Sequence, residues 1–459
     1  MFTLDEALEF DRATVGKLYK EYVNPGLAAV LGLLDFDKRF VRAEGPCLWD
    51  AEGNRYLDCL GAYGALNLGH NPPQVLAALE KVKQRPNLLQ ASLNPLAAAL
   101  AHNLAEVAPG NLRHCFFCNS GAEAVEGALK LARAATGRTG LIYCEGSFHG
   151  KTLGALSVTG RDKYQRPFEP LVPDCRCIPY GDAAALEQAL KERPAAAFIV
   201  EPIQGEGGIV VPPPGYLTRA RELTSRHGVL LIVDEIQTGL GRTGNLFACQ
   251  HEQVAPDILC LAKSLGGGIM PVGAFITTPE LWQRAYGGMD KCLLHTSTFG
   301  GNTWAMAAGL AALKTLVEEN LAEEARKKGE FLRQRLAERV ETHPLVKAVR
   351  GRGLMIGIEF VGKEQGLLDR LTGGMTARLR EEYTASLVAG LLLNEYHILT
   401  AYTLNNPNVI RLEPPLTITY EDLDRVVGAL EAILGEHGSF GSLALASSRT
   451  LLKSLFRKE

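Results

Sequence analysis

The stretches AAAFIVEP (residues 195–202), VLLIVDEI (229–236) and DILCLAKS (257–264) constrain the fold of this chain more than any other feature. Each is a short apolar run with no alternating polar face, so each reads as a strand buried on both sides. HCFFCNS (114–120) and GLIYCEG (140–146) are of the same kind. Helical stretches separate them, such as GAEAVEGALKLARAATG, whose Ala124, Ala128, Leu131 and Ala132 mark one apolar face, and GYLTRARELTSRHG. This alternation predicts an α/β fold: a mainly parallel sheet flanked by helices.

The chain has 459 residues, above the ~250–300 at which single cores usually divide, and its texture changes once. The βα alternation occupies 72–322, the expected large domain. Beyond it, AEEARKKGEFLRQRLAERVETH is a charged amphipathic helix, VKAVRGRGLMIGIEFV reads as a hairpin, and VIRLEPPLTIT as a further strand. Residues 323–459 are therefore expected to form a smaller α/β domain. Residues 1–71 are expected to join it, since CLWDAEGNRYLDCL reads as a hairpin turned at Glu52-Gly53-Asn54. In the tail, Leu451, Leu452, Leu455 and Phe456 fall at helical spacing, read as a helix docked on its own protein.

A net charge of −3 shows no bias towards nucleic acid or anionic membrane. No apolar run reaches the ~18 residues of a membrane span, and the first twenty residues are too acidic and polar for a signal or transit peptide. A soluble, cytoplasmic protein is expected. Cys115 and Cys118 form a CxxC, but on a strand, where residues three apart point to opposite faces. The ten cysteines read as reduced thiols, and no metal site is expected. GRGLMIG lacks GxGxxG spacing, and neither a Walker GxxxxGK[ST] nor a GxSxG elbow is present.

In open parallel sheets, ligands sit beyond the carboxyl ends of the strands. Ser120, Gly121 and Ala122 fall where a strand meets a helix N-terminus, an anion site suited to phosphate. Asp234 ends the most apolar strand; it reads either as a helix cap or structural ion pair, or as a carboxylate facing a buried cation. Lys263 ends another strand at the edge of a triple glycine. It is either surface-solvated or a desolvated amine able to form a Schiff base. A phosphate cradle, a buried carboxylate and a buried amine together describe a pyridoxal phosphate (PLP) site.

The motifs NSGAEAVEGALKLAR, SFHGKTLGALS, EPIQGEGG, VDEIQTGLGRTG, LAKSLGGG and HTSTFGGN occur in that order. They resemble the class III, ornithine-aminotransferase-like group of fold-type I PLP-dependent transferases, over nearly the whole chain. The resemblance implies that Lys263 bonds the cofactor aldehyde and shuttles the proton, and that Asp234 pairs with the pyridine nitrogen. It implies that Gln237 hydrogen-bonds the ring's 3-hydroxyl side, that Phe148 stacks on the ring, and that Gly121 and Ala122 give N–H groups to the phosphate. Thr298 would reach that phosphate from a neighbouring subunit, which implies a homodimer with shared active sites, pairing into tetramers being open. The group commonly has Thr or Ser where Ala122 stands, so a hydroxyl contact is lost. His149 and His295 take positioning roles at most.

Within the group the chain is similar to the putrescine aminotransferases, in CFFCNSGAEAVEGALKLA, PDILCLAKSLGGGIMPVGA and TLNNPNVIRLEPPLTIT, and in Lys151 and Val125. Tyr63 pulls the other way, towards ornithine aminotransferase. The resemblance places Arg411 at the substrate-carboxylate position and Glu206 where it neutralises that arginine. The expected reaction moves an amino group from a terminal diamine, putrescine first, to 2-oxoglutarate. The alternatives are ornithine, acetylornithine, cadaverine or a longer-chain amine, and, remotely, a non-catalytic PLP-binding protein. Glu201 reads as a second pocket carboxylate or a structural one. Glu413 reads more as a solvated loop charge than as a partner for a distal ammonium.

Overall fold

The computed structural model describes residues 1–88, 91–362 and 375–447. The tail leucines and Phe456 lie outside these residues. The strands in chain order are β1 (Phe40–Glu44), β2 (Cys47–Asp50), β3 (Arg55–Asp58), β4 (His114–Cys118), β5 (Leu141–Cys144), β6 (Cys175–Ile178), β7 (Ala197–Val200) and β8 (Leu230–Asp234). They continue with β9 (Ile258–Leu261), β10 (Gly273–Thr277), β11 (Val346–Arg352), β12 (Met355–Phe360), β13 (Ile398–Leu399), β14 (Ala401–Tyr402) and β15 (Val409–Leu412).

A seven-stranded sheet, β4-β10-β9-β8-β7-β5-β6, forms the centre. The neighbours from β9 to β6 all pair in parallel, while β10 is antiparallel to both β4 and β9. Phe198, Leu231 and Val233 are fully buried, as runs without a polar face require, each burial contributing about 1.5–3 kcal/mol. The pairings Asp234 with Cys260 and Val200 with Val233 bring the carboxyl ends of β7, β8 and β9 to one edge. Cys118 pairs with Gly273, which brings the end of β4 to the same edge.

The helix Gly121–Thr136 leaves β4 and lies across this sheet. Its Gly127 is required there: a Cβ would come within 2.3 Å of the Phe275 ring on β10. That approach sets the N-terminus of the helix beside the ends of β8 and β9.

Two smaller sheets complete the fold. The hairpin β2–β3, with β1 outside it, pairs in parallel with β13, so the N-terminal segment and a strand from the C-terminal part share one sheet. The order β11-β12-β15-β14 makes the other, and carries Arg411 on β15. Among the described residues no helix is long and apolar enough to cross a membrane, and no group of three or more His, Cys, Asp or Glu is placed to hold a metal ion. Burial pushes the Cys115 and Cys118 thiols up to about 12.

Candidate active site

A cavity of about 480 Å³ opens at the shared strand edge, within the range of small-molecule sites. Its lining includes Ser120, Gly121, Ala122, Phe148, Asp234, Gln237 and Lys263, residues spread over more than 140 positions of sequence. Ser120 caps the helix, its hydroxyl accepting from the Glu123 N–H at 3.2 Å. The Gly121 and Ala122 N–H groups lie in the first turn, where no intrahelical acceptor exists. Gly121 packs against Ile236; a Cβ there would meet its Cδ1 at 2.9 Å. Backbone donors thus face the cavity with no side chain between.

Asp234 and Glu235, adjacent in sequence, have separate duties because successive side chains leave a strand in opposite directions. Glu235 turns away to accept from Thr238 Oγ1 (2.5 Å) and the Cys249 N–H (2.7 Å). Asp234 lines the cavity: one carboxylate oxygen accepts from the Ile236 N–H at 3.0 Å, the other lies 2.7 Å from His149 Nδ1. An ionised carboxylate only accepts, so this contact assigns the proton to Nδ1. The His149 backbone N–H donates to Thr159 Oγ1 at 3.0 Å, fixing the ring's root. Sequence reasoning expected no more than positioning of His149, and gave no hint that Asp234 was what it positions.

Lys263 follows β9 with φ at +49°, a left-handed conformation that a residue with a side chain adopts at a cost of about 1–3 kcal/mol. Burial lowers its amine pKa from the ordinary value, with Glu413, Glu206 and Asp234 opposing the shift. Glu201, at the end of β7, accepts from the Phe148 N–H (2.9 Å) and the Gly205 N–H (3.0 Å). Burial drives its pKa up to about 7, His149 acting in the opposite direction. It also lines the cavity, so its structural bonds and its pocket position coexist.

Arg411 and Glu206 stand apart from this lining and form a two-pronged buried pair, Nη1–Oε1 at 2.8 Å and Nη2–Oε2 at 2.5 Å. The Tyr63 ring lies 5.0 Å from the guanidinium carbon. Glu413 corrects the expectation of a solvated loop charge. It is fully buried, accepts from Gln237 Nε2 at 3.0 and 2.8 Å, and lies 3.5 Å from Arg411 Nη1. The local sequence LEPPL looks like a loop; only the pairing of β15 with β12 and the approach of the Gln237 loop enclose the carboxylate. Thr298 is exposed and His295 packs among Phe116, Phe275 and Tyr286; neither belongs to the cavity lining.

The donor set fits PLP: backbone N–H groups for an anion, an aromatic ring, an acceptor-only carboxylate and a lysine amine around one cavity. Fold and site together define a fold-type I PLP-dependent transferase. The family model for class-III aminotransferases matches residues 36–434, and the chain belongs to that family. Pyridoxal phosphate is its cofactor. The aminotransferase PigE of Serratia sp. (strain ATCC 39006) is 40% identical over 454 residues, covering 92% of this chain and 53% of that protein. The chain thus spans about half the length of that curated relative. The crystal structure of ornithine aminotransferase from Toxoplasma gondii ME49 superposes with a TM-score of 0.83 at 34% identity, covering 95% of this chain and all of that one. A PLP-bound amine transaminase from an uncultivated Pseudomonas species gives 0.77 at 31% identity, covering 86% and 94%.

Proposed function

We propose that this chain transfers an amino group from a terminal diamine, with putrescine as first choice, to 2-oxoglutarate, giving an aminoaldehyde and glutamate. The observation that carries this reading is the buried Glu206–Arg411 pair. A diamine is a dication without a carboxylate, and 2-oxoglutarate is a dianion, so one pocket has to present opposite charges in turn. With Glu206 on Arg411 the guanidinium is neutralised and the amine meets no exposed cation. With Glu206 withdrawn, the same planar fork accepts a carboxylate in a two-pronged geometry.

Bound PLP supplies the electron sink for cleavage of the amine's C–H bond. Asp234, steered by His149, holds a proton at the ring nitrogen. The Lys263 amine, made less basic by burial, takes the proton from carbon and returns it. Phe148 excludes water from one ring face. The Gly121 and Ala122 N–H groups anchor the phosphate. Gln237 orients the 3-hydroxyl edge. Thr298 of a second copy completes the phosphate site in a homodimer, a reading that a purely monomeric species in sedimentation would remove.

A second reading, an ornithine-type ω-aminotransferase, draws support from Tyr63 against Arg411 and from the likeness to the Toxoplasma enzyme. A panel of putrescine, cadaverine, ornithine and acetylornithine against 2-oxoglutarate separates the two; absence of putrescine turnover removes the first. Measured as separate half-reactions, Arg411→Ala is expected to slow the 2-oxoglutarate side roughly a hundredfold, the scale of about 2–5 kcal/mol for truncating a buried charge pair. The amine side is expected to change by less than about threefold. Equal losses on both sides would rule the charge gate out.

A further inference from the structure

Glu413 has no part in the exchange described above, and its surroundings are those of a built site. It stands two residues beyond Arg411, just past the end of β15, with its own backbone N–H donating to Cys59 O at 2.8 Å. Both carboxylate oxygens accept from the Gln237 amide nitrogen. Gly64, at φ +80°, backs it: a Cβ there would lie 3.2 Å from Glu413 Oε1. Burial lowers the pKa of both Arg242 and Lys263, and Glu413 is the strongest charge opposing that shift.

Arg411 therefore faces two carboxylates that are held in different ways. Glu206 reaches it from another loop and is otherwise held by the Leu404 N–H at 2.8 Å. Glu413 shares Arg411's own chain segment and is pinned by Gln237. Its withdrawal would leave both the Gln237 amide and a buried charge without partners, an expensive outcome. With Glu206 gone, Arg411 and Glu413 still face each other at 3.5 Å.

We infer that Glu413 is a specificity-determining residue: a fixed second carboxylate that keeps Arg411 partly neutralised after Glu206 moves, and so disfavours amine donors bearing a carboxylate beside the reacting amine. The inference rests on reading Arg411 as the carboxylate-binding residue, not on which amine is the donor. It also accounts for the Gln237 amide: an acceptor-only partner fixes its NH2 end towards Glu413 and leaves its carbonyl oxygen against Gly205, where a Cβ would lie 1.8 Å away.

The test uses the full PLP-loaded chain and glutarate, a dicarboxylate without a reacting amine or ketone, titrated by calorimetry. Glu413→Gln is expected to bind glutarate about tenfold more tightly than wild type. Glu413→Asp, which retains the charge, is expected to stay near wild type. In separate half-reactions, Glu413→Gln is expected to raise kcat/KM for glutamate relative to putrescine by about tenfold; a purely structural residue would lower both together. Unchanged or weaker glutarate binding in Glu413→Gln, or the same gain in Glu413→Asp, overturns the inference. Should Glu413→Gln not fold, Glu413→Ala carries the same expectation. Tighter glutarate binding without putrescine turnover by the wild type leaves this inference standing and removes only the proposed donor.

Discussion

Lys263→Ala is expected to slow both half-reactions by at least about 10³-fold, within the range for removing a positioned acid–base group. The residue stands at the end of β9 in a left-handed backbone conformation, which aims its side chain into the cavity that Asp234 also lines. Burial lowers its pKa, so at neutral pH a larger share of the amine is free to accept a proton than in a surface lysine. Because the same amine is expected to hold the cofactor, borohydride reduction of the wild type should fix PLP to the peptide containing Lys263, read by mass spectrometry, with no such adduct in the variant. Labelling at another lysine, or a variant with near-normal single-turnover rates, would overturn the assignment. Loss of rate with normal folding and retained PLP binding separates the chemical role from a structural one.

Asp234→Asn is expected to cost about 10²–10³ in the rate of each half-reaction, the scale for losing one preorganised electrostatic contact. The amide matches the carboxylate in size but carries no charge to hold a proton at the ring nitrogen. It also presents an NH2 group where His149 Nδ1 now points an N–H, at 2.7 Å. That conflict forces the imidazole to change tautomer or turn. Both half-reactions fall together here, in contrast to the split expected for Arg411→Ala, because the electron sink is common to both directions. Stopped-flow absorbance of each half-reaction measures this directly. Rates within threefold of wild type would show that the carboxylate is structural.

Much of the fold was legible in local sequence because a strand buried on both faces has to be apolar throughout, and its neighbours need not be known. β4, β5, β7, β8 and β9 were all readable in this way, as was the hairpin β2–β3. β6 and β10 were not read as strands. β6 (CRCI) carries an arginine, and its strand character comes from pairing with β5. β10 follows β9 after a glycine-rich turn, and its antiparallel placement between β9 and β4 depends on a partner, β4, that is distant in sequence. At the site, Asp234 and Lys263 stood out in the sequence because a charge closing an apolar run demands an explanation, and both line the cavity. Glu413 was misjudged because burial of a carboxylate next to two prolines is a property of whatever packs over it.

By itself, then, the amino-acid order settled the strands that are apolar throughout, and placed Asp234 and Lys263 where such runs end, since side-chain polarity and period act over a few residues. Only the tertiary structure decided the pairing of charges: His149 with Asp234, Glu206 with Arg411 and Glu413 with Gln237 lie 85, 205 and 176 residues apart along the chain. A buried ion is tolerated or rejected according to what faces it across a few ångströms. That partner is supplied by chain folding rather than by chain order.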